Sequence, residues 1–523
     1  ISMGKTIITN GHFYGLPNVT SVLCENGRIL SITPDISRTY NNTIDLKGGW
    51  AYPGFIDGHM HLTGLGWSLE TLDLVGTHSK KSILSIIEKA TLKTPTGHWI
   101  QGRGWDQNDW QNASYPTAKD LDSVSSEHPV VLRRIDGHAL WANTRAMEIA
   151  GISIKTIEPK GGNILYDELN KPTGVFIDNA MTLITDYIPK STENDKYRQI
   201  TKAQTLLNSL GITSVHDAGT GVKDIRAIKQ LIKENNLSVR VFAMLNDTPE
   251  DYEPFLEKGP ITHTPFLTVR TLKVYMDGAL GSRGAALLAP YSDDQHQSGL
   301  LFMNKDELAA IVQTFNSAGF QVNTHGIGDR AIRIILDAYE ESGMKEMRNR
   351  IEHAQIVHPI DLKRFKKLGV IPAMQATHCT SDMPWIGERL GVERLSRAYP
   401  WQSFAQLGNP IPGGSDAPVE FPDPLAGIYA AITRQDSLGW PDGGWQQQER
   451  LTLKQAVQMY TEWPAYASFE ENNKGKIDVG YYADFTVLDR QLSDENPKMI
   501  LDTKVIQTIV NGKIVYQSYN ETK

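Results

Sequence analysis

The chain has 523 residues, with 52 Lys and Arg against 60 Asp and Glu, and a formal net charge of −8. That length implies about three domains, or one barrel with appended parts. The acidic balance argues against a nucleic-acid binder, and no run approaches the roughly 20 apolar residues of a membrane span. Cys24 and Cys379 stand far apart with no CxxC motif, so reduced thiols and a cytoplasmic location are expected. The start, Ile1-Ser2-Met3-Gly4-Lys5, lacks the apolar stretch of a secretory signal, and Ile1-Ser2 reads as an expression scar or a trimmed end.

The first 50 residues read as short strands. Residues 6–9 are rich in β-branched side chains, and the apolar runs 22–24 and 29–32 flank Glu25-Asn26-Gly27-Arg28, a hairpin signature. Residues 51–57 form the first of eight candidate barrel strands. The stretch from about Gly64 to Pro189, rich in Trp, Gly and Pro, is too long for a structureless loop. It is expected to be an inserted subdomain over the barrel mouth. Strands then follow at 212–216, 239–245, 268–276, 321–325, 350–353, 370–375 and 411–415. Helices are expected over 195–210, 224–235, 305–318, 329–341 and 359–367. This alternation predicts an α/β fold, a (β/α)8 TIM barrel. Strand-like residues return at 484–488 and 505–510, followed by Asn511-Gly512 and 513–516. Neither end alone holds enough strands for a stable sheet. Residues 1–52 and 466–523 are therefore expected to build one small β-sandwich beside a barrel of residues 53–465, with the insertion at about 64–190.

His59-Met60-His61 follows the first candidate strand, and residues two apart on a strand point to one face. Two imidazoles there can share a metal. With 14 histidines in the chain, one such pair is close to chance, so its place at the active end of a barrel strand carries the weight. In 270–276, alternation puts Leu272, Val274 and Met276 on one face and Thr271, Lys273 and Tyr275 on the other, which should be the interior. A buried lysine is pushed toward its neutral, nucleophilic amine. It can form a Schiff base, react with CO₂ to give a carbamate, or pair with a carboxylate. His325, His353 and Asp416 each end a candidate strand. Together these polar, ligand-type residues end strands one, four, five, six and eight, whose C-terminal ends a barrel converges on one spot. His, carboxylate and an anionic bridge suit Zn²⁺ and similar divalent ions.

The pattern resembles the amidohydrolase superfamily, and most of all the YtcJ-like branch of amidohydrolase family 3. The matching segments are 53–61, 272–286, 325–331, 350–355 and 413–418, joined by 135–143, 375–378 and 382–385. The resemblance implies that His59 and His61 ligate the more buried of two divalent ions. It implies that Lys273 is carboxylated and bridges them, that His325 and His353 hold the second ion, and that Asp416 binds metal and shuttles protons. The implied activity is hydrolysis of an amide or related C–N bond in a small molecule, of the N-substituted formamide or N-acyl amine type. A metal-activated hydroxide would be the nucleophile. A mononuclear deaminase and a non-catalytic binding protein on the same scaffold are the alternatives. A homodimer is the base-rate expectation. Candidate substrate contacts in the insert are Trp105, Trp110 and Trp141, with Arg134 and His138, although core packing is expected for at least two of the tryptophans. His216, placed at the end of strand two, Gln375 and His378 either line the pocket or are structural. Arg283 either binds a substrate anion or pairs with Asp277.

Overall fold

Seven parallel strands form one sheet in which every strand lies beside its neighbour in sequence. They are Phe55–Met60, Ile212–Thr220, Arg240–Leu245, Leu267–Tyr275, Gln321–Gly326, Arg350–His353 and Ile371–Ala373. The computed structural model describes residues 4–160, 162–262 and 264–518, so Ile1-Ser2 lies outside the described residues. Helices such as Glu193–Ser209, Val222–Lys233, Lys305–Ser317, Asp329–Ser342 and Pro359–Leu368 connect the strands. Their apolar stripes face the sheet. In Asp329–Ser342, Ala331, Ile332, Ile335, Leu336, Ala338 and Tyr339 are buried at helical spacing. The start of Lys305–Ser317 is set by a reciprocal cap between Asn304 and Glu307.

The eighth barrel segment differs from the expectation of a strand at 411–415. It pairs with both of its neighbours, but not as a regular strand. The Met374 N–H donates to the Pro412 carbonyl on one side. On the other, Gly58 N–H donates to Gly413 O at 2.7 Å, Asp416 N–H to His59 O at 2.7 Å and His61 N–H to Ala417 O at 2.8 Å. Pro412 has no N–H to give to a ladder, and Asp416 has a positive φ of 57°, so regular pairing is interrupted on both counts. These bonds join the seventh strand to the first.

The expected strand at 51–57 is also divided in two. Trp50–Pro53 belongs to a terminal sheet and Phe55–Met60 to the barrel, with the break at Gly54. A β-carbon at Gly54 would lie 2.2 Å from Thr213 Oγ1, so only glycine lets the two strands pass so closely. The second strand runs on to Thr220, which places His216 in mid-strand and not at its end.

The chain ends meet in two sheets. Arg28–Ser31, Val22–Glu25, Thr6–Thr9 and Asn42–Asp45 form one. His12–Phe13, Trp50–Pro53, Phe485–Leu488, Val505–Val510 and Lys513–Gln517 form the other. Ile8, Val22 and Ile44 of the first sheet and Phe485, Val487 and Ile509 of the second share one apolar cluster. Both hairpins turn through Asn-Gly with positive φ, 51° and 76° at Asn26-Gly27 and 56° and 72° at Asn511-Gly512, which matches the twist of the flanking strands. Arg240 ties these strands to the barrel. It donates to Asp484 from Nε at 2.6 Å and from Nη2 at 2.9 Å, and both side chains are buried.

This body runs to Leu65 and resumes at Lys196; Gly66–Asp195 forms a second compact unit. Its sheet has the order Gly162–Tyr166, Pro172–Asp178, Ala139–Ala142, Val130–Arg134, Ile100–Trp105 and Leu72–Asp73. Trp105, Trp110 and Trp141 lie in one apolar cluster of that unit.

Candidate metal centre

The strands bring His59, His61, His325, His353 and Asp416 together with His378. Oδ1 of Asp416 lies 3.2 Å from His59 Nε2 and 3.0 Å from His61 Nε2. Oδ2 of Asp416 lies 3.8 Å from His378 Nε2. His59, His61 and Asp416 form one group of ligand atoms within 4.8 Å of one another, and His353, His378 and Asp416 form another. Asp416 belongs to both. The ring of His353 lies 4.8 Å from that of His59 and 4.6 Å from that of His325, centre to centre. His378, which follows the seventh strand, stacks on His353 at 5.8 Å.

The nitrogens are arranged for coordination. Among the described residues, His59 Nε2, His325 Nε2 and His378 Nε2 are buried without a hydrogen-bond partner. An orphaned imidazole nitrogen is costly in an apolar interior unless a ligand meets it. His353 Nδ1 donates to Gln375 Oε1 at 2.7 Å, which leaves Nε2 as its lone-pair nitrogen. His325 Nε2 lies 3.5 Å from Asp277 Oδ1. Burial lowers the pKa of His325 to about 3, and the Lys273 charge adds to the effect. Burial above all holds His353 well below the ordinary histidine value. Both rings are therefore neutral, the form that binds metal. Burial disfavours ionised Asp416, but the His59 and His61 imidazoles beside it outweigh burial and hold the carboxyl well below the usual carboxylate range. Imidazoles and a carboxylate facing one another in this way fit a divalent metal such as Zn²⁺.

Lys273 points into the interior and is only 1% exposed. Among the described residues no carboxylate forms an ion pair with it, and Nζ lies 4.4 Å from the centre of the Tyr275 ring. Tyr275 itself, expected inside, is 42% exposed because it ends the strand, where the barrel interior gives way to solvent.

Several candidate contacts have other duties. His216 is fully buried inside the barrel, and Arg350 Nη1 donates to its Nδ1 at 2.9 Å; it is a mid-strand interior residue. Arg283 does not pair with Asp277. Its guanidinium donates to Asp293 at 3.1 and 2.9 Å. Asp277 instead accepts the backbone N–H groups of Ala286, Ile327 and Gly328, which pins the loops after strands four and five. In the Gly66–Asp195 unit, Trp105 is fully buried in the core and donates Nε1–H to Leu132 O at 2.7 Å. Trp141 is buried there as well and donates to Thr117 O. Arg134 is held by Asp106, Gln107 and Asp136, and exposed His138 pairs with Asp178 at 2.7 Å.

Sequence reasoning missed Glu352. Its carboxylate is fully buried, accepts from His59 Nδ1 and takes two hydrogen bonds from Arg350. The signal was present in Arg350-Ile351-Glu352-His353, where alternation puts Arg350 and Glu352 on the same face.

Residues 42–516 match the model of the amidohydrolase family. The chain is 32% identical over 480 residues to YtcJ of Bacillus subtilis (strain 168), provisionally described as an amidohydrolase, covering 91% of this chain and 90% of that one. It is 27% identical over 512 residues to the N-substituted formamide deformylase of Arthrobacter pascens, covering 91% and 90%. Among solved structures, a metal-dependent hydrolase of uncharacterised function from Pyrococcus horikoshii OT3 superposes with a TM-score of 0.80 at 29% identity, covering 98% of this chain and all of that one.

Proposed function

The chain belongs to the amidohydrolase family, and from that premise we propose that this metal-dependent hydrolase cleaves an amide or related C–N bond of a small molecule. N-substituted formamides and N-acyl amines are the first substrate class to consider, since one relative is an N-substituted formamide deformylase. The observation that carries the reading is the double engagement of Asp416. Its Oδ1 faces the His59 and His61 nitrogens while its Oδ2 faces His378.

In this reading two divalent ions, Zn²⁺ by donor chemistry, are held by this chain. His59, His61 and Asp416 hold one. His325 and His353 would hold the other, and Lys273, once carboxylated, would supply an anionic ligand to the pair. Lys273 supports the carbamate because it is a buried cation with no carboxylate partner among the described residues. Its Nζ would lose two protons, one to free the amine lone pair and one as the N–C bond to CO₂ forms, turning a buried cation into an anion. When bound, the metals polarise a carbonyl and lower the pKa of water. Asp416 Oδ2, the oxygen not turned to His59 and His61, accepts the proton of the attacking water and returns it to the leaving amine. His378, 3.8 Å away, is placed to steady that oxygen or the substrate beside it.

The test is metal content by plasma mass spectrometry on protein purified without chelator. Chelation and add-back then follow on a panel of N-formyl and N-acyl amines. About two ions per chain, with turnover that follows the metal, supports the reading. About one ion favours the mononuclear deaminase and removes Lys273 from the ligand set. No bound metal under any condition overturns the reading.

A further inference from the structure

Arg350 and Glu352 form a fully buried ion pair beside His59. Arg350 Nε donates to Glu352 Oε1 at 2.6 Å and Nη2 to Oε2 at 2.9 Å, a two-pronged grip that leaves the carboxylate little freedom. The same Nη2 donates to the Gly58 carbonyl at 2.7 Å, one residue before His59, and Nη1 donates to His216 Nδ1 at 2.9 Å. Arg350 is thereby fixed to the strand that carries His59. Glu352 Oε2 then accepts the His59 Nδ1–H. With its proton on Nδ1, the His59 ring presents a lone pair at Nε2, which is buried, without a hydrogen-bond partner among the described residues and 3.2 Å from Asp416 Oδ1. A buried ion pair is an expensive way to gain stability, because apolar side chains of similar volume often do as well. Its placement against one imidazole nitrogen gives it a different purpose.

We propose that Glu352 is a positioning residue of the metal centre: its carboxylate holds the proton on His59 Nδ1 and so aims Nε2 at the metal, with Arg350 keeping that carboxylate in place. The proposal rests on the metal-dependent reading above. A carboxylate behind a ligating histidine fixes the tautomer and ring orientation and raises ligand basicity, and its loss typically weakens metal binding 10- to 100-fold.

The test uses the full chain and Zn²⁺ as the probe, with affinity measured by competition against a chromophoric chelator. The visible spectrum of the Co²⁺-loaded protein and the melting temperature of the metal-free protein are recorded alongside. Glu352→Gln is expected to bind Zn²⁺ about 10- to 100-fold more weakly and to shift the Co²⁺ bands. Glu352→Gln also leaves the Arg350 charge unpaired, so the double variant Arg350→Met/Glu352→Gln, which removes both charges, is measured in parallel. Recovered thermal stability in the double variant with Zn²⁺ binding still weakened supports positioning. Parent-like Zn²⁺ affinity and Co²⁺ spectrum in a folded variant overturn it and leave the metal-dependent reading standing. A parent protein that binds no Zn²⁺ overturns both.

Discussion

Asp416 meets His59 twice: its backbone N–H donates to the His59 carbonyl at 2.7 Å, and its Oδ1 lies 3.2 Å from His59 Nε2. One residue thus takes part in closing the barrel and completes the ligand cluster. The positive φ of Asp416 makes this possible, because it turns the side chain back over the strand that the backbone has just joined.

Asp416→Asn separates those two duties. Asparagine keeps the backbone donor and the side-chain volume but loses the anionic oxygen that accepts a proton. Turnover is expected to fall about 10²- to 10⁴-fold, with the far-ultraviolet circular dichroism unchanged. A folded variant within tenfold of the parent rate would take Asp416 out of the proton transfer.

Lys273→Ala removes the nitrogen on which the carbamate would form. The variant is expected to hold fewer ions per chain than the parent by plasma mass spectrometry, with the second ion lost first. Equal stoichiometry in the two proteins would exclude a bridging role for Lys273.

Arg240 and Asp484 are 244 residues apart and pair in the interior where the terminal strands meet the barrel. Arg240 also lies over the Tyr482 ring at 3.7 Å. Asp484→Ala strands that guanidinium without its counter-charge, and the expected loss is about 3–5 kcal/mol. Denaturant unfolding of the metal-free variant measures it. A loss under about 1 kcal/mol would show that the pair does not hold the terminal strands to the barrel.

Asp382 gives a pH dependence. Burial raises its pKa to about 6 from 3.8, against the hydrogen bond donated by Tyr399 and with help from the nearby charge of Glu420. Between about pH 4 and pH 6 the folded chain keeps a proton that the unfolded chain releases, so stability falls as pH rises through this window. Above it the burial of a charged Asp382 costs about 3 kcal/mol. Asp382→Asn stays neutral throughout and still accepts from Tyr399. Its melting temperature relative to the parent is therefore expected to improve from pH 4 to pH 7, measured without metal. A pH-independent difference would contradict the raised value.

Much of the framework is legible along the chain because it is local. The helix bounds fall within two residues of the apolar periodicity in Asp329–Ser342 and Pro359–Leu368. Asn26-Gly27 and Asn511-Gly512 announce their hairpins because few other residue pairs tolerate two positive φ angles in succession. The burial of Lys273 follows from a period of two on a strand. The eighth segment is less legible, because Pro412 and the strained Asp416 interrupt the pattern by which a strand is read.

The sequence by itself determined which face of a segment turns inward, though not, as exposed Tyr275 shows, where the interior ends: alternation and amphipathic spacing are properties of a few neighbouring residues, and backbone sterics enforce them wherever the segment lies. Only the tertiary structure decided which inward residues meet. Glu352 finds His59 across 293 positions, His353 finds Gln375 across the helix that joins strands six and seven, and His378 joins the cluster from a helix after strand seven. Arg283 turns to Asp293 and leaves Asp277 to the backbone of two loops. A hydrogen bond or a ligand set depends on distance and direction between side chains, and closing the barrel is what sets both.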